Sequence, residues 1–208
     1  MNEAFGLVLL LVLTTYVLAS LTHYSGWSAV ALTATGCASA AVAMGSSGVR
    51  APVVRAAVGI TILATALATL GAILGGDGLY AAAGLIQSLL LIGAVYAVLR
   101  AVLSELAVNF RTILGAISVY MIFGLLFTTL YMAIDRLQSA PFFTQGGFET
   151  GDFIFFSFTT LTTTGYGNLV PAGQPGKMFA GLEMLLGQIF LVTLIAGLVS
   201  LWRPRRRD

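Results

Sequence analysis

Charge is what this chain has least of. Only 9% of its 208 residues are Asp, Glu, Lys or Arg, against about 25% in an average soluble domain, so most of its length has no polar face to offer water. Cysteine is confined to Cys37, which excludes an intrachain disulfide and a cysteine-rich metal cluster and leaves a small apolar helix residue. His23 is the only histidine. With no spaced His/Asp/Glu cluster and no nucleophile beside a base, nothing in the chain reads as an enzyme. Lysine is reduced to Lys177, and the remaining basic residues are arginines scattered through loops and the C-terminal end, not a patch of the kind nucleic acid requires.

Apolar residues make up 58% of the chain. A span of a hydrocarbon core of roughly 30 Å needs about 20 of them in succession. Six such runs stand near residues 4–22, 27–45, 56–75, 79–99, 112–134 and 178–202, and they predict an all-α membrane protein with six transmembrane helices. The second run is built largely of Ala, Thr, Gly and Ser, which suits a helix packed closely against others in lipid. The first run is not read as a signal peptide, because Met1-Asn2-Glu3 supplies an acid where a basic stretch is needed.

Loop charges fix an orientation. Lys and Arg accumulate on the cytoplasmic side of short loops. With both termini inside, Arg50, Arg55, Arg100, Arg111, Arg203, Arg205, Arg206 and Arg207 are all cytoplasmic, and only Arg136 and Lys177 remain outside. Trp202 and the arginines after it read as an interfacial belt and an anchor able to touch anionic lipid. The few residues that follow Trp202 lead us to expect no cytosolic ligand-binding domain. His23 falls in the first external loop as an interfacial polar residue, and the tyrosines at 16, 24, 80, 96, 120 and 131 need only packing or belt roles.

Between the fifth and sixth runs, residues 136–151 are polar and punctuated by Gly and Pro, and residues 152–161 turn apolar again. As a helix the apolar stretch is about 15 Å long, too short to cross, so it must enter and turn back. Such backbone survives at membrane depth only when buried in protein or lining a water-filled cavity. Asp152 suits the start of this half-helix as a cap and as a negative charge at the positive dipole end.

The half-helix leads into Thr162-Thr163-Thr164-Gly165-Tyr166-Gly167-Asn168-Leu169-Val170-Pro171. Over residues 110–202 the sequence resembles the pore-loop potassium channel family, of the bacterial six-span type without a voltage sensor. Alternate glycines let successive carbonyls face one way, in conformations that a residue with a Cβ rarely adopts. The resemblance implies a re-entrant pore helix and a selectivity filter between helices 5 and 6. Its ion-binding residues would be Thr163, Thr164, Gly165, Tyr166 and Gly167, with K+ held by the carbonyls of Thr163 to Tyr166 and the Thr163 hydroxyl. It also implies a homotetramer, since each chain lends one strand of the ion path. No organic cofactor is expected.

Departures from the family pattern are specific. Thr164 stands where Val is usual, Asn168 replaces an Asp, Phe155 and Phe156 stand where several relatives carry Trp, and Thr159 stands where some carry a carboxylate. By the same resemblance the sixth span lines the pore. Gly187 is either a hinge or a point of close packing, Gln188 faces the cavity, and Leu191, Ile195 and Val199 form a hydrophobic constriction below it. Glu183 lies about five residues inside this span, where an ionisable group calls for a function. We expect it to support the filter by bonding Thr159, Thr160 or Thr164, with Asn168 at the outer mouth; its alternative is an acid reaching water in the vestibule.

The organisation expected is a four-helix N-terminal region over 1–105 and a pore domain over 106–208, in a bacterial plasma membrane, conducting K+ passively. The rival on the same scaffold is a non-selective monovalent cation channel. A transporter is disfavoured because no internal repeat or second broken segment is found. The fourth run, 79–99, carries no Arg or Lys inside it, whereas a voltage sensor needs several, each charge contributing only about 2.3 kcal/mol per 100 mV. In a planar bilayer the conductance should therefore change little with voltage, and a steep dependence equivalent to several gating charges would contradict this reading.

Overall fold

The structure, a computed structural model, describes residues 3–23, 25–104, 110–145 and 149–201. Within them the chain forms α1 (Glu3–Leu21), α2 (Gly26–Ser46), α3 (Ala51–Leu74), α4 (Asp77–Leu103), α5 (Phe110–Leu137), α6 (Thr150–Leu161) and α7 (Gln174–Leu201). Every run read from the sequence is a helix. The largest change is α3, which begins at Ala51 with Pro52 in its first turn and so takes Arg55 into the helix, as the fixed φ of proline favours. Among the described residues five helices are long and apolar enough to cross a membrane, namely α2, α3, α4, α5 and α7, beside a shorter apolar segment at Phe5–Leu21.

Small residues decide how α2, α3 and α4 pack. The buried residues of α3 are Ala57, Ala64, Ala68 and Gly71, and α2 buries Ala29, Gly36, Ala40 and Ala43 at the same intervals. Such stripes let two backbones approach closely, which compensates in lipid for the weak hydrophobic drive between helices. Large residues of α3, including Ile62, Leu63 and Ile73, point outward instead. At Gly36 a Cβ would lie 1.9 Å from the Gln87 Nε2 of α4, so no other residue fits there without moving Gln87.

The helices α4 and α5 form the central seam. Ser88 and Thr129 share a hydrogen bond of 2.8 Å inside it. At one end the Arg136 guanidinium donates to Asp77 Oδ1 at 2.6 Å and lies 4.8 Å over the Tyr80 ring. The Tyr80 hydroxyl accepts the Gly26 N–H at 3.0 Å, so α2, α4 and α5 are tied together at that end. The packing role assigned to Tyr80 was therefore too small.

The short helix α6 is enclosed from behind. Phe158 meets Tyr16 of α1 edge-on at 5.0 Å and covers Gly124 of α5, where a Cβ would come within 2.4 Å of its ring. On its other side Phe142, Phe143, Phe153, Phe156 and Tyr131 form a buried aromatic cluster, in which each favourable ring pair contributes about 0.5–1.5 kcal/mol beyond area burial. A bridge between Phe143 and Pro171 closes this cluster, with Thr144 N–H donating to Val170 O at 2.9 Å and Ala172 N–H to Phe142 O at 2.8 Å.

Overpacking the stripe of α3 should be costly. Ala64→Leu is expected to destabilise the protein by roughly 1–3 kcal/mol, read as a lower melting temperature in detergent, whereas Leu63→Ala on the outward face should leave it nearly unchanged. Equal melting of the two variants would contradict the small-residue seam.

Candidate functional site

The site begins where α6 ends. Glu149 stands at its N-cap, and the Glu149 N–H donates to Asp152 Oδ2 at 3.0 Å. Asp152 therefore sits at the third helical position and supports the cap from there, where its charge still meets the positive dipole end; the sequence reading had placed it at the cap itself. His23 lies beside Glu149, its Nδ1 3.7 Å from Oε1, with both side chains largely in the open.

At the other end of α6 the backbone turns sharply and is held by its own last turn. The Thr163 N–H donates to Thr160 O at 2.9 Å, and Thr159 O accepts both Thr164 N–H at 2.8 Å and Gly165 N–H at 3.2 Å. The Thr164 hydroxyl, an addition where an apolar side chain would do, is partnered by Thr162 at 2.9 Å. From this anchor onward the left-handed region is occupied at every second residue: φ is 56° at Thr163, 52° at Gly165 and 77° at Gly167. Glycine accommodates this freely, while a β-branched threonine does so only when its surroundings hold it. At Thr163 they do, through the bonds just given.

Residues 162–168 are exposed in the single chain, Tyr166 to 71%. The Tyr166 ring stacks on Phe155 at 5.6 Å and 20°, so Phe155 supplies a flat surface without a hydrogen-bond donor. Asn168 is exposed at the far end of the segment. Thr159 supports the segment through its carbonyl, since its hydroxyl is turned back to Phe156 O at 3.0 Å.

Glu183 of α7 is fully buried behind α6. Its hydrogen bonds do not go to Thr159, Thr160 or Thr164, as the sequence reading expected. Glu183 Oε1 lies 2.5 Å from Ser157 Oγ and Oε2 lies 2.6 Å from the Tyr131 hydroxyl. The reason is helical register: Ser157 is the hydroxyl of α6 that faces the α5 and α7 side and is itself fully buried, whereas Thr159 is only half-buried and the backbone at 164 has already left the helix. Burial also excludes the alternative of an acid reaching vestibule water.

Gly187 lies one turn further along α7, where a Cβ would approach the Leu161 carbonyl oxygen to 2.4 Å. Close packing against the end of α6 thus requires glycine there. The Tyr120 hydroxyl reaches the same Leu161 carbonyl at 3.3 Å. Gln188 and Leu191 are exposed on the uncovered side of α7. The side chains of Ile195 and Val199 lie outside the described residues.

Sequence reasoning missed Ser157, Tyr131 and the buried pair Phe142 and Phe143. Ser157 carried a signal, being the lone hydroxyl within the run 153–158. Tyr131 carried none, because a tyrosine in an apolar span reads as packing until its partner is known. Phe142 and Phe143 were hidden in a loop read as polar.

Two substitutions on one helix separate packing from bending. Gly187→Ala should lower the melting temperature by several degrees through its clash with Leu161, and Gly181→Ala, where no atom lies within 4 Å of the new Cβ, should not. Equal behaviour of the two would remove the close-packing account of Gly187.

Residues 116–203, covering most of α5 and all of α6 to the end of α7, match a family model described as ion channel. No curated protein and no solved structure matches the chain.

Proposed function

We propose, from the match of residues 116–203 to an ion channel family model, that the protein is one subunit of a homotetrameric potassium channel with its selectivity filter at residues 163–167. The observation that carries the reading is the alternation of left-handed backbone at Thr163, Gly165 and Gly167. Alternation of this kind turns successive carbonyls to one side of the chain, and a file of carbonyl oxygens is what replaces the water stripped from a monovalent cation.

One chain supplies one side of such a file. The exposure of residues 162–168, together with the outward-facing Leu182, Leu185, Ile189 and Val192 of α7, supports a cyclic assembly in which copies of the segment and of α7 meet around an axis. The family solution is four. In that assembly Gln188 and Leu191 line the path, followed by Ile195 and Val199.

In this reading α1, about 28 Å long, crosses with the other five long helices, and α6, about 18 Å long, re-enters. The carbonyl end of α6 then carries roughly half a negative charge towards the cavity in which a cation waits. Both termini face the cytoplasm of a bacterial cell, in keeping with the arginine distribution. Residues 1–105 would supply the four N-terminal helices and residues 106–208 the pore domain against which they pack. The second reading, a non-selective cation channel, is favoured by the exposed Asn168 and by a Phe155–Tyr166 stack that lacks a donor.

Reversal potentials in mixed potassium and sodium across a planar bilayer test the proposal. Purified wild-type protein should reverse near the potassium equilibrium potential, and Gly165→Ala, which forces a Cβ onto a left-handed residue at about 1–2 kcal/mol, should lose current while remaining assembled. A reversal potential midway between the two ions would favour the non-selective channel, and no cation current at all would end both readings.

A further inference from the structure

Three oxygen-to-oxygen contacts meet behind the 163–167 segment, and they cannot all be hydrogen bonds unless a third proton is present. Ser157 Oγ lies 2.8 Å from Gly124 O and 2.5 Å from Glu183 Oε1, and the Tyr131 hydroxyl lies 2.6 Å from Glu183 Oε2. A serine hydroxyl and a tyrosine hydroxyl each hold one proton, a backbone carbonyl holds none, and an ionised carboxylate holds none. Two protons would leave one contact between bare lone pairs at hydrogen-bond distance, in a place where unsatisfied polar atoms are expensive.

We infer that Glu183 is a neutral carboxylic acid in this fold, donating its proton from Oε1 to Ser157 Oγ. Only one direction of donation satisfies every contact. The Tyr131 hydroxyl donates to Glu183 Oε2, Glu183 donates to Ser157, and Ser157 donates to the Gly124 carbonyl, which also accepts the Thr128 hydroxyl at 2.7 Å. Reversing the tyrosine bond would again strand one of the contacts at Ser157.

The surroundings agree with a neutral acid. Glu183, Ser157 and Tyr131 are each fully buried, and a buried carboxylate needs a cation or several donors. On α5 the charged neighbours Asp135 and Arg136 are engaged by the Phe142 N–H and by Asp77. On α6 Asp152 accepts the Glu149 N–H. On α7 Lys177 lies six residues from Glu183 and is exposed. The remaining titratable group close by, Tyr120, points to the Leu161 carbonyl. No ion pair found among the described residues includes Glu183.

The proton thus acts as a pin. It links α7 to α6, and through Ser157 and Tyr131 links both to α5, one turn from the residues whose carbonyls anchor the 163–167 segment. Glu183 is a positioning residue, and removing its proton would leave an unpaired charge and break the chain of donation at Ser157. The inference rests on hydrogen-bond geometry, so it stands or falls separately from ion conduction.

Infrared difference spectroscopy of the full-length protein in lipid at neutral pH, wild type minus E183Q, tests it. A carboxylic-acid C=O band present in wild type and lost in E183Q is expected, and S157A should move that band to higher frequency because the acceptor is gone. E183Q should also melt with the wild type, since its amide N–H donates where the acid did, whereas E183A should melt lower. A wild-type spectrum with a carboxylate band at this position and no acid band would overturn the inference. If E183Q does not fold, the S157A shift decides alone: an acid band that moves supports the pin, and an unmoved spectrum refutes it.

Discussion

A backbone that must alternate its handedness over five residues is the constraint around which the rest of this molecule is arranged. Left-handed φ at Thr163, Gly165 and Gly167 leaves the segment without helix or sheet partners of its own. Among the described residues its N–H groups find partners at the start, in the carbonyls of Thr159 and Thr160 at the end of α6. Whatever fixes α6 therefore fixes the segment, and most of the buried polar and aromatic contacts in this half of the chain converge on that one short helix.

The convergence comes from four sides. Tyr16 of α1 presses on Phe158, Gly124 of α5 receives the same ring, the aromatic cluster closes the flank, and Gly187 of α7 admits the Leu161 carbonyl. The first helix is thus in direct contact with the helix that positions the site, and α4 holds α5 through Ser88 and Thr129. This connects the N-terminal helices to the segment with no charged residue in positions 79–99 of α4. Glycine at 124 and 187 serves proximity, while glycine at 165 and 167 serves conformation; the two uses of the same residue are told apart by whether a Cβ meets an atom or meets a forbidden φ.

Much of this was legible in the sequence. Helix positions followed from runs of apolar residues, because in lipid the backbone can satisfy itself only as a helix or barrel. The left-handed alternation over 163–167 was legible because it is a property of the main chain, so glycine spacing after a short apolar stretch carries the signal. The support behind it was not. Glu183 stood out as an acid in an apolar span, yet its partners depend on which hydroxyl of α6 faces α7, a matter of helix rotation that a one-dimensional reading of 150–161 does not contain. Phe142 and Phe143 stand in a loop, as the glycine, proline and polar residues around them indicate, and what those neighbours do not reveal is the bridge between Phe143 and Pro171 that folds both rings inward.

The most direct test is an experimental structure of the assembled protein in potassium. Four chains around one axis are expected, with the carbonyls of residues 163–166 facing that axis and a column of ion density between them. A structure in which Tyr166 and its flanking glycines lie at the periphery, away from any symmetry axis, would contradict the account.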